Sequence, residues 1–202
     1  MKMPNTGFTE LVFIISRAGP MEIIWKDLAA GFNECVRSQK NLPGRVQLTL
    51  TLFDRDDEPL YDGTELDKVK PLRNEPYTLG GENAALDAIG RTIHYVDQRL
   101  KKKPDAVNPD GLLVIIVTED HDRISVEFTH KEISRIIREK KFNLGWSFIL
   151  ASANEDAPGM AFALSIGPED ALHFEPTDTG ARKLFRDLCS RISAFRSEQA
   201  AA

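Results

Sequence analysis

Two short stretches of the chain, Leu11 to Ile15 and Leu112 to Val117, are apolar without interruption. Runs of this length, rich in β-favouring side chains, predict strands buried on both faces, as in a parallel sheet. Trp146 to Ala151 predicts a third such strand. Val46 to Phe53 has a different pattern: Val46, Leu48, Leu50 and Leu52 alternate with Gln47, Thr49 and Thr51. That alternation predicts a strand with one exposed face. Asp54 to Asp57 then reads as a hairpin tip and Glu58 to Tyr61 as a short return strand before Asp62-Gly63, which places an antiparallel pair at a sheet edge. Ala171 to Phe174 predicts a last short strand.

Between these lie stretches of helical period. Ile24, Leu28, Gly31 and Cys35 share a face of a helix predicted over Glu22 to Lys40, which Asn41-Leu-Pro-Gly44 ends. Thr64 to Leu79 carries Pro71 and Pro76 and reads as irregular. Gly80-Gly81 opens a longer helix, Glu82 to Lys102, with Leu86, Ile89, Ile93, Val96 and Leu100 inward. Pro104 to Gly111 is a predicted loop. Thr129 and Glu132 match a capping box and start a helix that runs to Lys141. A short helix over Gly159 to Ile166 and a final one over Asp178 to Phe195 complete the set, with Ser197 to Ala202 expected to fray. Strands alternating with helices predict a Rossmann-like three-layer α/β/α fold, its sheet mostly parallel with one antiparallel edge strand. The expected organisation is one domain over residues 10–196, with tails at 1–9 and 197–202.

Composition fits this picture. The chain has 202 residues, 42% hydrophobic and 28% charged, enough for a single core without staples. A net charge of −5, with Lys101-Lys102-Lys103 as the only dense basic run, argues against a phosphate-neutralising surface, so no nucleic-acid partner is expected. The two cysteines, Cys35 and Cys189, have no metal-site or redox-motif spacing and read as buried thiols in a reducing compartment. Met1 to Glu10 lacks a signal-peptide core, and the longest apolar runs are strand-sized. A cytoplasmic protein with no membrane partner is therefore expected.

In open α/β sheets, function gathers where loops leave the carboxyl ends of the strands. That rim is predicted to comprise Ser16–Pro20, Gly80–Asn83, Thr118–Arg123 and Ser152–Asp156. The first of these loops carries neither a dinucleotide fingerprint nor a P-loop, and Pro20 removes a backbone donor that an anion cradle would use. No nucleophile elbow is present. His94, His121, His130 and His173 show no zinc spacing, and only His121 falls on the rim. The acidic run Asp54, Asp56, Asp57, Glu58 lacks a calcium-loop pattern and reads as a solvated hairpin. With no complete catalytic constellation, enzymatic activity is not expected.

The order of elements, together with Phe53-Asp54, Tyr61-Asp62-Gly63, the stretch Tyr77 to Gly90 (Ala84, Leu86, Asp87, Ala88, Ile89, Gly90) and Trp146-x-Phe-Ile-Leu-x-x-Ala-Asn154, resembles bacterial and phage von Willebrand factor A domains. The resemblance spans about Glu10 to Phe195. In that family a divalent ion sits on the rim in a metal-ion-dependent adhesion site, held by Asp-x-Ser-x-Ser in the first loop, a Thr in the second and an Asp before Gly in the third. Here Ser16 stands in the first Asp position, Ala18 and Pro20 in the serine positions, and Asn83 in the Thr position. Glu119 stands for the last Asp and Asp120 for its glycine. The resemblance with these departures implies a metal-independent protein-interaction module, a subunit or adaptor of a larger assembly, with no cofactor and a partner encoded nearby. The expected contact rim is Ser16, Arg17, Ala18, Pro20, Glu82, Asn83, Glu119, Asp120, His121 and Arg123, with Arg17 and Arg123 meeting an acidic partner. Two alternatives stand beside it. One is a displaced magnesium or manganese site on Glu82, Glu119 and Asp120, with Ser16 and Asn83 as neutral oxygens. The other is a metal-dependent hydrolase using the Glu119, Asp120, His121 corner.

Overall fold

The computed structural model describes residues 7–73, 82–102, 108–122 and 124–201. Six strands form one sheet: β1 (Thr9–Ser16), β2 (Val46–Phe53), β3 (Asp57–Glu65), β4 (Gly111–Thr118), β5 (Ser147–Ser152) and β6 (Ala171–His173). Their order is β3-β2-β1-β4-β5-β6; every neighbouring pair is parallel except β2 with β3, the edge hairpin. Helices α1 (Trp25–Lys40), α2 (Ala85–Lys101), α3 (His130–Leu144), α4 (Ala157–Ala163) and α5 (Asp178–Ala201) cover it. Among the described residues no helix is long and apolar enough to cross a membrane.

The period of two in β1 divides the core. Leu11, Phe13 and Ile15 pack with Leu28 and Phe32 of α1 and Leu184 and Leu188 of α5. Val12 and Ile14 face the other way, towards Ile89 and Ile93 of α2 and Ile133 and Ile137 of α3. Burial of each such side chain stabilises the fold by about 1.5–3 kcal/mol. Edge-to-face contacts from Phe13 to Phe32 (5.2 Å between centroids) and from Phe32 to Phe185 (6.2 Å) tie sheet, α1 and α5 together.

Four expectations are corrected. The polar face of β2 is not exposed: all eight residues of the strand are buried. Thr51 Oγ1 lies 3.1 Å from the Thr92 hydroxyl of α2, and the Thr49 hydroxyl donates to Glu10 at 2.9 Å. Helix α2 covers this face, so polar side chains bonded to one another replace water. The acidic hairpin tip is likewise not simply solvated, since Asp54 is buried and ion-paired with Arg17, and Asp57 is paired with Arg91. Helix α2 begins at Ala85 rather than Glu82: the Ala84 backbone is not helical (φ −97°, ψ 52°), and its amide donates to the Asp54 carbonyl, 2.9 Å away. Finally, the segment expected to fray stays helical to Ala201, and Gln199 lies over Gly111, where an added Cβ would come within 2.5 Å of its Cγ. At the other end Phe8 is already buried and its amide donates to Asp110 at 2.9 Å.

Other boundaries moved by a few residues. Strand β3 continues through Asp62-Gly63 to Glu65 with irregular register against β2. The Asp156 carboxylate accepts from the Gly159 amide and starts α4 early, at Ala157. The capping box holds as expected: Thr129 Oγ1 accepts from the Glu132 amide, and Glu132 accepts from the Thr129 amide.

Candidate functional site

The parallel strands end together, and β1 and β4 deliver Ser16 and Thr118 side by side to one rim. Ser16 is fully buried and its hydroxyl accepts from the Ala18 amide at 3.2 Å, which turns the chain into the short 3-10 turn Gly19–Met21 that contains Pro20. Ala18 is buried and offers no side-chain oxygen.

Arg17 is not the outward cation that the sequence suggests. It is buried, with Nε donating to Asp54 at 2.9 Å and a terminal nitrogen donating to Glu58 at 2.7 Å. Its guanidinium staples the end of β1 to the β2–β3 hairpin, because Asp54 comes immediately after β2, the parallel neighbour of β1. Arg123, like Gly80 and Gly81, lies outside the described residues.

Asn83 is buried, and its amide nitrogen donates to the Thr118 hydroxyl at 2.9 Å and to the Asp120 carbonyl at 3.1 Å. This fixes its Oδ1 on the far side, buried and without a hydrogen-bond donor among the described residues. Glu119 is also buried, and its Oε2 has no donor among the described residues. Burial pushes the Glu119 carboxyl pKa up; hydrogen bonds involving Ser16 and Asn83 oppose that rise, and the nearby Asp120 charge adds to it. Ser16, Asn83 and Glu119 are therefore gathered. Glu82 is turned away to an exposed ion pair with Arg55 at 3.0 Å, and Asp120 Oδ1 accepts from Asn154 at 2.6 Å. The three carboxylates of the displaced metal site do not converge, and no group of three or more His, Cys, Asp or Glu among the described residues is placed to hold a metal ion. A magnesium-type ion draws on charged hard oxygens. The gathered set offers one carboxylate, biased by burial towards its neutral form, so it does not fit that ion.

Asp122 falls within the predicted rim segment Thr118–Arg123, and Ser125, just beyond that segment, was not picked out from sequence. Asp122 accepts from the Leu86 amide at 3.2 Å and from the Ser125 hydroxyl. On the next residue of α2, Asp87 accepts from the amides of Val126, Glu127 and Phe128 at 2.9–3.0 Å. Burial alone would raise the Asp87 carboxyl pKa, but the three amide donors outweigh it and hold it low. Gly90 lets Phe128 lie directly on α2, since an added Cβ would meet that ring at 2.6 Å. The motif residues Asp87 and Gly90 thus serve to fasten the loop after β4. Beside this loop a cleft is lined by Leu86, Ile89, Met160, Asp120, Asp122 and the exposed His121.

No family model and no curated protein matches the sequence. Solved structures do match the fold. Proximal thread matrix protein 1 from the mussel byssus aligns with a TM-score of 0.62 at 12% identity, over 92% of this chain and 46% of that one. A form of the same protein with a zinc-occupied adhesion-site motif aligns at 0.63, over 95% and 47%. The ArnB paralog VWA2 of Sulfolobus acidocaldarius aligns at 0.55 with 17% identity, over 91% and 44%. The fold is the von Willebrand factor A fold. The chain spans under half the length of these vWA-fold proteins, and at such identities the likeness concerns the fold.

The Glu119 environment leads to one expectation. A raised folded-state pKa contributes stability that is fully present below the ordinary glutamate range and lost as pH rises through the raised value. Glu119→Gln keeps the shape without the ionisation. It is expected to melt no lower than the parent above the raised value and to flatten the decline as pH rises from the ordinary glutamate range. Thermal denaturation over that rise in pH checks this; a variant that melts well below the parent throughout would contradict it.

Proposed function

We propose that this chain is a metal-independent protein-interaction module that serves as a subunit or adaptor of a larger assembly. The observation that carries the reading is the internal use of the rim's polar groups. Arg17 is engaged by Asp54 and Glu58, Asn83 by Thr118, Asp120 by Asn154 and Glu82 by Arg55. Coordination chemistry is left with a single buried carboxylate, whereas Gly19, Glu82 and His121 remain exposed for contact. The rim is the proposed contact surface, and its partner is a protein encoded near this one. The vWA fold of the structural neighbours supports such a role by analogy only.

The hydrolase alternative finds little in the geometry. Glu119 is buried beside Ser16 and Asn83, while His121 is exposed over the neighbouring cleft. A nucleophile, its base and an electrophile would have to converge. Phosphatase and nuclease screens of the purified chain are expected to show no turnover.

The experiment is affinity purification from the native host with and without a chelator, using the parent and a His121→Glu variant. A partner retained in chelator and lost in the variant is the expected result. A partner released by chelator, or held equally by the variant, would overturn the proposal.

A further inference from the structure

Helices α1 and α5 run side by side in the same direction, and their contacts climb in step. Arg182 donates to Asp27 at 2.6 Å, Phe185 lies on Gly31, and Gln39 donates to Ser193 at 2.8 Å. An added Cβ on Gly31 would meet Phe185 at 2.9 Å, so the two helices approach closely at that level. One turn further on, the same ladder brings Cys35 of α1 and Cys189 of α5 against each other; they form no disulfide here.

The two sulfurs have unlike surroundings. Cys35 is buried and Cys189 half-buried. The Gln39 amide nitrogen donates to Cys189 Sγ at 3.4 Å. That amide cannot turn over without loss, because Arg196 donates to its oxygen at 2.8 Å. The Cys35 thiol, then Gln39 and Ser38, lower the Cys189 pKa to about 5 against the opposing effects of burial and Glu34. The contact with Cys189, together with burial and Glu34, pushes Cys35 up. The Gln39 donor and the greater exposure of Cys189 favour the thiolate on that sulfur, and burial favours the thiol on Cys35. A surface cavity lined by Glu34, Cys35, Ser38, Arg182, Arg186 and Cys189 opens onto the pair.

We propose that Cys189 and Cys35 form a peroxide-responsive dithiol, with Cys189 as the attacking sulfur and Cys35 as the resolving one. The Cys189 thiolate attacks one oxygen of hydrogen peroxide. A sulfur–oxygen bond forms, the oxygen–oxygen bond breaks, and hydroxide leaves and takes up a proton. The Cys35 sulfur then attacks the sulfenic sulfur, the sulfur–oxygen bond breaks, and water leaves with the Cys35 proton. Two thiols are oxidised to one disulfide, and one peroxide is reduced to two waters. The product fastens α5 to α1. Neither sulfur belongs to a sequence motif, and nothing in this step involves the rim.

The test starts with the reduced full-length chain and hydrogen peroxide at neutral pH, followed by intact mass and a non-reducing peptide map. The expected result is loss of both thiols together, a mass lower by two hydrogen atoms, and one peptide joining Cys35 to Cys189 within a single chain. In Cys35→Ser the sulfenic acid is expected to persist on Cys189 and to be trapped by dimedone. In Cys189→Ser, Cys35 is expected to stay reduced. Parent thiols that survive excess peroxide, disulfides only between chains, or Cys35 oxidation without Cys189 would each overturn the proposal. The parent measurement stands even if a serine variant fails to fold.

Discussion

Arg99→Ala is expected to destabilise the protein by about 3–5 kcal/mol, read as a lower urea midpoint with an unchanged slope. Glu10 lies in β1 with its side chain wholly removed from solvent, and its carboxylate is held by the Arg99 guanidinium and the Thr49 hydroxyl. Arg99 also reaches across to Asp62 of β3 at 2.6 Å. Removing the cation leaves a carboxylate in the middle of a sheet with one hydroxyl donor, and an uncompensated buried charge is among the most damaging changes a fold can suffer. The attraction itself contributes far less than that loss, since both ions had to leave water. The double substitution Glu10→Leu with Arg99→Met should therefore recover much of the stability lost in Arg99→Ala. A double variant as unstable as the single one would show that shape, rather than charge, is what the pair supplies.

Asp87→Ala is expected to cost about 3 kcal/mol and to speed amide exchange at Val126, Glu127 and Phe128 in particular. Three backbone donors converge on this carboxylate, and no other acceptor in the described residues takes them. The local effect separates this prediction from general loosening, because β1 and β4 should keep their protection. The pH dependence has a definite sign. The folded-state pKa of Asp87 is held low, so its contribution is present above the ordinary aspartate range and lost as pH falls through the lowered value. Between about pH 4 and pH 2 the parent should lose stability faster than Asp87→Asn, which cannot titrate. Parallel curves would assign the loop contacts a minor role.

The sheet could be read from sequence because its central strands leave no choice of environment. Leu11 to Ile15 and Leu112 to Val117 have no polar side to expose, so both must be covered by helices. The edge hairpin and the Thr129–Glu132 box were legible for a similar reason, since their signals are contained within a few residues. Strand β2 misleads because its polar side chains bond to residues distant in sequence. Thr49 meets Glu10, and Thr51 meets Thr92. The burial of Arg17 escaped notice for the same reason, as its partners lie 37 and 41 residues on. Sequence could place Ser16, Asn83 and Glu119 on the rim but could not orient them; that Glu82 and Asp120 turn to Arg55 and Asn154 depends on side-chain direction alone. The facing of Cys35 and Cys189 needed the helices to pack in parallel and in step, which no local pattern encodes.

A rim that retains the vWA shape while its polar groups bond to neighbouring side chains should have no use for a divalent ion. Calorimetric titration of the chain with magnesium and with manganese, repeated on Glu119→Ala, tests this most directly. Metal independence predicts no saturable heat for either ion in either protein. Micromolar binding in the parent that disappears in Glu119→Ala would contradict it.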